Sequence, residues 1–186
     1  DVYTLTAPAS IEEVTAIRVE ALPDERLGVH RGPGRQGNFV LNELELTEAG
    51  QQVSPIRGRF VRIDLPGRGK MIHVAEVQVF SGGRNIAPEG EASQSSTAFA
   101  GPARLAIDGN TTGDYEGKSV THTAVDRSDP WWEVDLGTEH DLQSIAVWNR
   151  TDNGLAARLD GFRLSVLNAD RQPVWSETYA QAPEKE

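Results

Sequence analysis

The chain has 186 residues, of which 38% are hydrophobic, with 18 glycines, 10 prolines, no cysteine and a formal charge of −10 at pH 7. That length suits one large or two small domains, and the acidic balance excludes nucleic acid and anionic membrane surfaces, both of which need basic patches. Without cysteine there are no disulfides, thiolate metal sites or cysteine nucleophiles, and no apolar run approaches the roughly 18 residues of a membrane span. No signal peptide is visible at Asp1, which leads almost at once into the strand-like Val2-Tyr3-Thr4-Leu5-Thr6. The chain therefore reads as a mature product or, better, as an excised part of something larger.

Short runs of alternating apolar and polar residues then follow in order. They are Ala16 to Leu22, Phe39 to Leu46, Phe60 to Leu65, Val74 to Phe80, Trp132 to Leu136, Ile145 to Trp148, Phe162 to Leu167 and Val174 to Tyr179. A period of two predicts half-buried antiparallel strands, and this many of them predict an all-β fold, an antiparallel β-sandwich or jelly roll. Pro66-Gly67, Ser81-Gly82-Gly83 and Asp152-Asn153-Gly154 punctuate the runs as turns or loops. The glycine-rich segment from Pro23 to Asn38 predicts an irregular excursion.

A weak repeat links residues 15–46 with 58–79. Each reads as a strand, a proline-terminated turn and a second strand with a central glutamate, Glu43 or Glu76. We place a boundary near Gln51: residues 1–50 as a partial β module and 51–186 as the main one.

The stretch from Leu105 to Arg158 carries most of the functional information. Asp108, Asn110 and Ser119 are hard oxygen donors around a Gly109 turn, suited to calcium; the competing reading is an Asp-Gly-Asn turn capped by its own side chains. His122, Arg150 and Arg158 supply hydrogen-bond donors that suit sugar hydroxyls; the competing reading is a surface histidine and an Arg150–Asp152 ion pair. Of Trp131 and Trp132, adjacent on a strand, only one can face any given side, and core packing is the better reading for the pair. Trp148 and Trp175 also read as structural. Asn110-Thr111-Thr112 and Asn149-Arg150-Thr151 match the N-glycosylation pattern, and each overlaps a candidate site.

From Asn85 onward the sequence resembles the F-type lectin (fucolectin) branch of the discoidin or coagulation-factor type C superfamily. The likeness rests on Asn85-Ile86-Ala87, Ala92 to Ser96, Ala106-Ile107-Asp108-Gly109-Asn110 and Ser119 to Thr123. It continues in Pro130-Trp131-Trp132-Glu133-Val134-Asp135-Leu136-Gly137, Trp148 to Asp152 and Arg158 to Phe162. The family's last strands resemble Gly58 to Val79, which here come first, so residues 51–186 are expected to be a circularly permuted module; such rearrangement is tolerated where termini are neighbours. Similar segments occur in large exported bacterial multidomain proteins.

The resemblance implies a discoidin-like, galactose-binding-like jelly roll and a Ca2+ held by the Leu105 carbonyl, Asp108, Asn110, Ser119 and Glu76. It also implies a glycan site made by His122, Arg150 and Arg158, with Asp152 orienting Arg150. Two spacings depart from the family's by one residue each: 27 residues separate His122 from Arg150, and five separate Asp152 from Arg158. Where the family often has paired cysteines, this chain has Asn153-Gly154.

The expectation is a calcium-stabilised, non-catalytic lectin-like module that binds terminal glycans, fucose being the candidate sugar. Its setting would be extracellular, periplasmic or on the cell surface, beside neighbouring domains or chains, with no membrane insertion. The alternative is a structural or adhesive sandwich module with a degenerate sugar site. An enzyme is not expected, because no paired carboxylates, nucleophile triad, P-loop or His-rich metal motif stands out.

Overall fold

A computed structural model of the chain describes residues 55–125 and 128–183. They belong to a compact unit spanning residues 54–186. The strands expected at Ala16–Leu22 and Phe39–Leu46, the Pro23–Asn38 excursion, Glu43 and the partial module 1–50 all lie outside the described residues.

Among those residues there are eight strands: β1 (Ile56–Asp64), β2 (Val74–Ser81), β3 (Arg84–Asn85), β4 (Glu91–Gln94), β5 (Trp131–Leu142), β6 (Ser144–Asn149), β7 (Phe162–Leu167) and β8 (Pro173–Tyr179). One sheet runs β4-β5-β1-β7-β8 and the other β3-β2-β6, and every pairing is antiparallel. The only helical pieces described are short 3-10 turns, and among the described residues no helix is long and apolar enough to cross a membrane. The fold is the expected all-β antiparallel sandwich.

Alternation dictates which side chains reach the core. In β1, Val61 and Ile63 are fully buried, whereas the intervening Arg62 and Asp64 are bonded to each other and to other charged side chains on the outer face. Val77 and Val79 of β2, Val134 of β5, Val147 of β6 and Leu164 and Val166 of β7 join the same apolar cluster. Trp132 is also fully buried in it, and its indole N–H donates to the Ala103 carbonyl at 2.9 Å. Trp131 faces the other way, with the Arg62 guanidinium 4.4 Å from its ring centroid. The two tryptophans thus divide between core and surface, as adjacent strand residues must.

The β2–β3 hairpin closes through Gly82 and Gly83 at φ +58° and +74°, the left-handed pair that a two-residue turn of this hand requires. The register of β2 against β6 shifts between Val74 and Glu76. Bulges re-aim side chains, and this one stands where Glu76, a carboxylate, is fully buried.

Candidate functional site

The first cluster forms where Glu76 meets the loop after the 3-10 turn Ala103–Ile107, a turn that contains Leu105 and is capped by Asp108. Both Glu76 carboxylate oxygens accept from the Gly109 N–H at 3.2 Å. Glu76 takes part in no ion pair among the described residues. Burial pushes its carboxyl up to about 7, with the nearby Asp108 carboxylate adding to the rise. A buried anion facing a second anion calls for a positive charge.

The loop also satisfies itself in part. Asp108 accepts from the Asn110 N–H at 2.9 Å, Asn110 accepts from the Thr112 hydroxyl at 2.6 Å, and the Ser119 hydroxyl donates to the Asp114 carbonyl at 2.9 Å. Nowhere among the described residues do three His, Cys, Asp or Glu side chains converge as a metal site. A cation here would depend on carbonyl, amide and hydroxyl oxygens beside the two carboxylates, a hard-donor set that fits calcium. Self-capped turn and ion loop use the same atoms.

The second cluster gathers around His122, which is 4% exposed. Its backbone is clamped on two sides: His122 N donates to the Gly101 carbonyl at 2.8 Å, and Ala98 N donates to the His122 carbonyl at 2.9 Å. A Cβ on Gly101 would lie 2.5 Å from His122 N, so only glycine allows this approach. Gly101→Ala is expected to cost about 1–3 kcal/mol and to displace His122, as read by urea denaturation and by the imidazole resonances.

The His122 ring places Nδ1 2.8 Å from the Thr123 carbonyl. A carbonyl only accepts, so Nδ1 carries the proton and the neutral ring offers Nε2 as an acceptor. Burial first, and then Arg150 and Arg158, hold the ring's pKa below its ordinary value. This corrects the sequence expectation of donors alone: His122 would accept a hydroxyl proton, while the two arginines donate.

Arg150 follows β6 directly and is 5% exposed. Its Nη2 donates to Asp152 at 2.8 Å and its Nε to the other carboxylate oxygen, so Asp152 holds the guanidinium as a bidentate fork. The same bonds bring the Asp152 carboxyl down to about 2. The guanidinium lies 4.9 Å from the Tyr115 ring centroid. Tyr115 is brought there by Gly113, whose carbonyl accepts from Thr151 N at 2.9 Å. Arg158, in the 3-10 turn Ala156–Leu159, is exposed, with Nη1 3.7 Å from the Met71 sulfur.

Sequence reasoning missed three further neighbours. Phe99 is 68% exposed yet lies 4.6 Å from the His122 ring, centroid to centroid, on a backbone where both Phe99 and Ala100 adopt φ near +50°. Two consecutive left-handed non-glycine residues are uncommon and costly. Tyr115 is 6.5 Å from the same ring, and His73 is 5.4 Å from it. A lone aromatic in a Ser/Thr/Ala/Gly loop was the available hint for Phe99. Nothing local marked the other two.

Asn149 is not a free glycosylation acceptor. Fully buried, it donates from Nδ2 to the Ala156 and Pro183 carbonyls at 3.0 and 2.9 Å, which ties the Arg158 turn to the C-terminal segment. A separate depression of about 330 Å³ on the outer face of the five-stranded sheet includes Arg62, Asp64 and Arg163. Its arginines are already paired with Asp64 and Glu133, leaving little charge for a ligand.

Comparison with known proteins matches residues 105–186 to the family described as NedA-like, galactose-binding domain. Fucolectin-4 of Anguilla japonica is 36% identical over 90 residues, 46% of this chain and 49% of that protein. Fucolectin-5 of the same species is 40% identical over 90 residues, covering 46% and 47%. The pentraxin fusion protein of Xenopus laevis is 30% identical over 94 residues, covering 49% of this chain and 22% of that protein. The chain spans about half the length of the fucolectins it matches. Among solved structures, the lectin domain of lectinolysin complexed with Lewis B antigen is 41% identical, with a TM-score of 0.51 over 53% of this chain and 69% of that one.

Proposed function

We propose that this chain, which belongs to the discoidin-like F-type lectin superfamily, is a calcium-stabilised, non-catalytic module that binds terminal glycans, those ending in fucose first among them. The observation that carries the reading is the meeting of Arg150, locked by Asp152, with a neutral His122 whose Nε2 accepts, beside the aromatic rings of Tyr115 and Phe99. Sugar hydroxyls both donate and accept, so a site offering guanidinium donors and an imidazole acceptor satisfies them more fully than donors alone. The aromatic faces suit the apolar patches of a deoxysugar. Neighbouring domains would add reach through multivalency, in an extracellular, periplasmic or cell-surface setting.

Binding of the chain to immobilised Lewis b and to galactose-terminated glycans, with free L-fucose as competitor, tests the proposal. Capture of Lewis b that fucose displaces is expected. Absence of binding to any glycan in calcium-containing buffer would leave the scaffold reading instead, which the polar, exposed Asn153-Gly154 at the site's edge favours.

Calcium would be held by Glu76, Asp108, Asn110, Ser119 and the Leu105 carbonyl, and its role would be to neutralise the buried Glu76 and pin the loop. Calcium at about 100 times its Kd is expected to stabilise the unit by about 2.7 kcal/mol, roughly 10 °C in Tm. Glu76→Gln should abolish the increment. An unchanged wild-type Tm in millimolar calcium would refute the ion.

A further inference from the structure

We propose that His73 is a positioning residue of this site, which holds His122 in its neutral, accepting form between the two arginines and makes glycan capture reversible in acid. The inference rests on the glycan-binding reading above.

Backbone bonds set His73 opposite His122. Thr123 N donates to the Ile72 carbonyl and Thr121 N to the Val74 carbonyl, both at 2.9 Å, and the Thr123 hydroxyl accepts from Ile72 N at 2.8 Å. Residues 72–74 and 121–123 therefore run antiparallel, with 73 and 122 as the non-hydrogen-bonded pair between two bonded ones. Such a pair brings its side chains closest and onto one face, and the two imidazole centroids are 5.4 Å apart at 49°. Met71, two residues earlier, touches the Arg158 guanidinium.

His73 is 1% exposed, and neither ring nitrogen has a hydrogen-bond partner among the described residues. Buried polar atoms are almost always paired, and an apolar side chain would serve the sandwich core better. An unpartnered imidazole beside a ligand-facing one calls for a reason other than folding.

The groups around it supply that reason. From the neighbouring segment comes His122; from the end of β6, Arg150; from the 3-10 turn 156–159, Arg158. Asp152 is engaged by Arg150, and neither it nor Glu76, further along β2, is among the charges that act on His73. His73 thus meets positive charge without a free carboxylate. Burial first, then Arg150, His122 and Arg158, take its pKa down to about 4.

A histidine whose folded pKa lies below its unfolded value of about 6.5 contributes full stability above that pH and loses it progressively as pH falls toward about 4. A proton on His73 enters beside two guanidiniums with no acceptor but its own backbone carbonyl, forces the 72–74 and 121–123 segments apart, and carries His122 out of register with Arg150.

The experiment compares wild type with His73→Phe, which keeps a planar ring but cannot titrate. Affinity for the Lewis b oligosaccharide is measured from about pH 7.5 to about pH 3 alongside Tm. A group that must be neutral for binding, with a pKa of about 4 in the free protein, costs about tenfold in affinity by pH 3, so the wild-type loss is expected to exceed the variant's by about that factor, the shared remainder belonging to His122. Parallel pH profiles for the two proteins would overturn the proposal.

Should His73→Phe fail to fold, the wild-type imidazole resonances decide. Saturating oligosaccharide should lower the His73 titration midpoint, and an unchanged midpoint would overturn the proposal. If wild type binds no glycan at any pH, the glycan-binding reading itself falls, and this inference with it.

Discussion

Arg150→Ala is expected to abolish capture of fucose-terminated glycans while the sandwich stays folded. Arg150 donates both nitrogens of one guanidinium edge to Asp152 and lies over Tyr115, so it can hold a ligand hydroxyl only because its own orientation is already settled. Truncation removes the donors and leaves Asp152 as an unpaired carboxylate facing the sugar. Losing one member of a largely buried charged pair at a binding site costs about 2–5 kcal/mol, which is roughly thirtyfold to several thousandfold in Kd. Lysine should not rescue, because an ammonium lacks the planar fork that Asp152 grips. Calorimetric titration with the Lewis b oligosaccharide reads the effect. Affinity within about threefold of wild type would remove the His122–Arg150 cluster from consideration as the glycan site.

The largest effect on stability is expected from Trp132→Ala. The side chain is fully buried in the cluster shared by both sheets, and replacing a buried tryptophan by alanine costs about 3–5 kcal/mol. The Ala103 carbonyl also loses its indole donor. Total stabilities of about 5–15 kcal/mol are usual, so the variant should be marginal at best. Ala103 begins the 3-10 turn that Asp108 caps, so any calcium response should weaken in parallel. Trp131→Ala, on the outer face with Arg62 as its cationic partner, should cost no more than about 1 kcal/mol. Urea denaturation of the two variants separates them, and equal losses would contradict the division of the pair between core and surface.

The strands that alternation predicted are those with one face in the core. Phe60 to Leu65, Val74 to Phe80, Ile145 to Trp148 and Phe162 to Leu167 coincide closely with β1, β2, β6 and β7, and Trp132 to Leu136 opens the longer β5. β4, which reads Glu91-Ala92-Ser93-Gln94, was not visible. It lies at the sheet edge, pairs through backbone alone and buries too little to show a pattern.

For the site, family-like residue types pointed to His122, Arg150, Asp152 and Arg158. Spacing could not reveal His73, because its position depends on backbone bonds between residues some fifty apart in sequence.

Much of this protein is thus determined by sequence alone. Residue alternation sets the strands and the core, the lack of cysteine rules out disulfides and thiolate chemistry, and motif types set the candidate donors. Tertiary structure alone decided the protonation pattern of His122, the isolation of His73 and the burial of Glu76 against Gly109. A tautomer depends on which carbonyl faces the ring, and a pKa on which charges and how little water surround the group. Those neighbours are assembled only when distant segments pair.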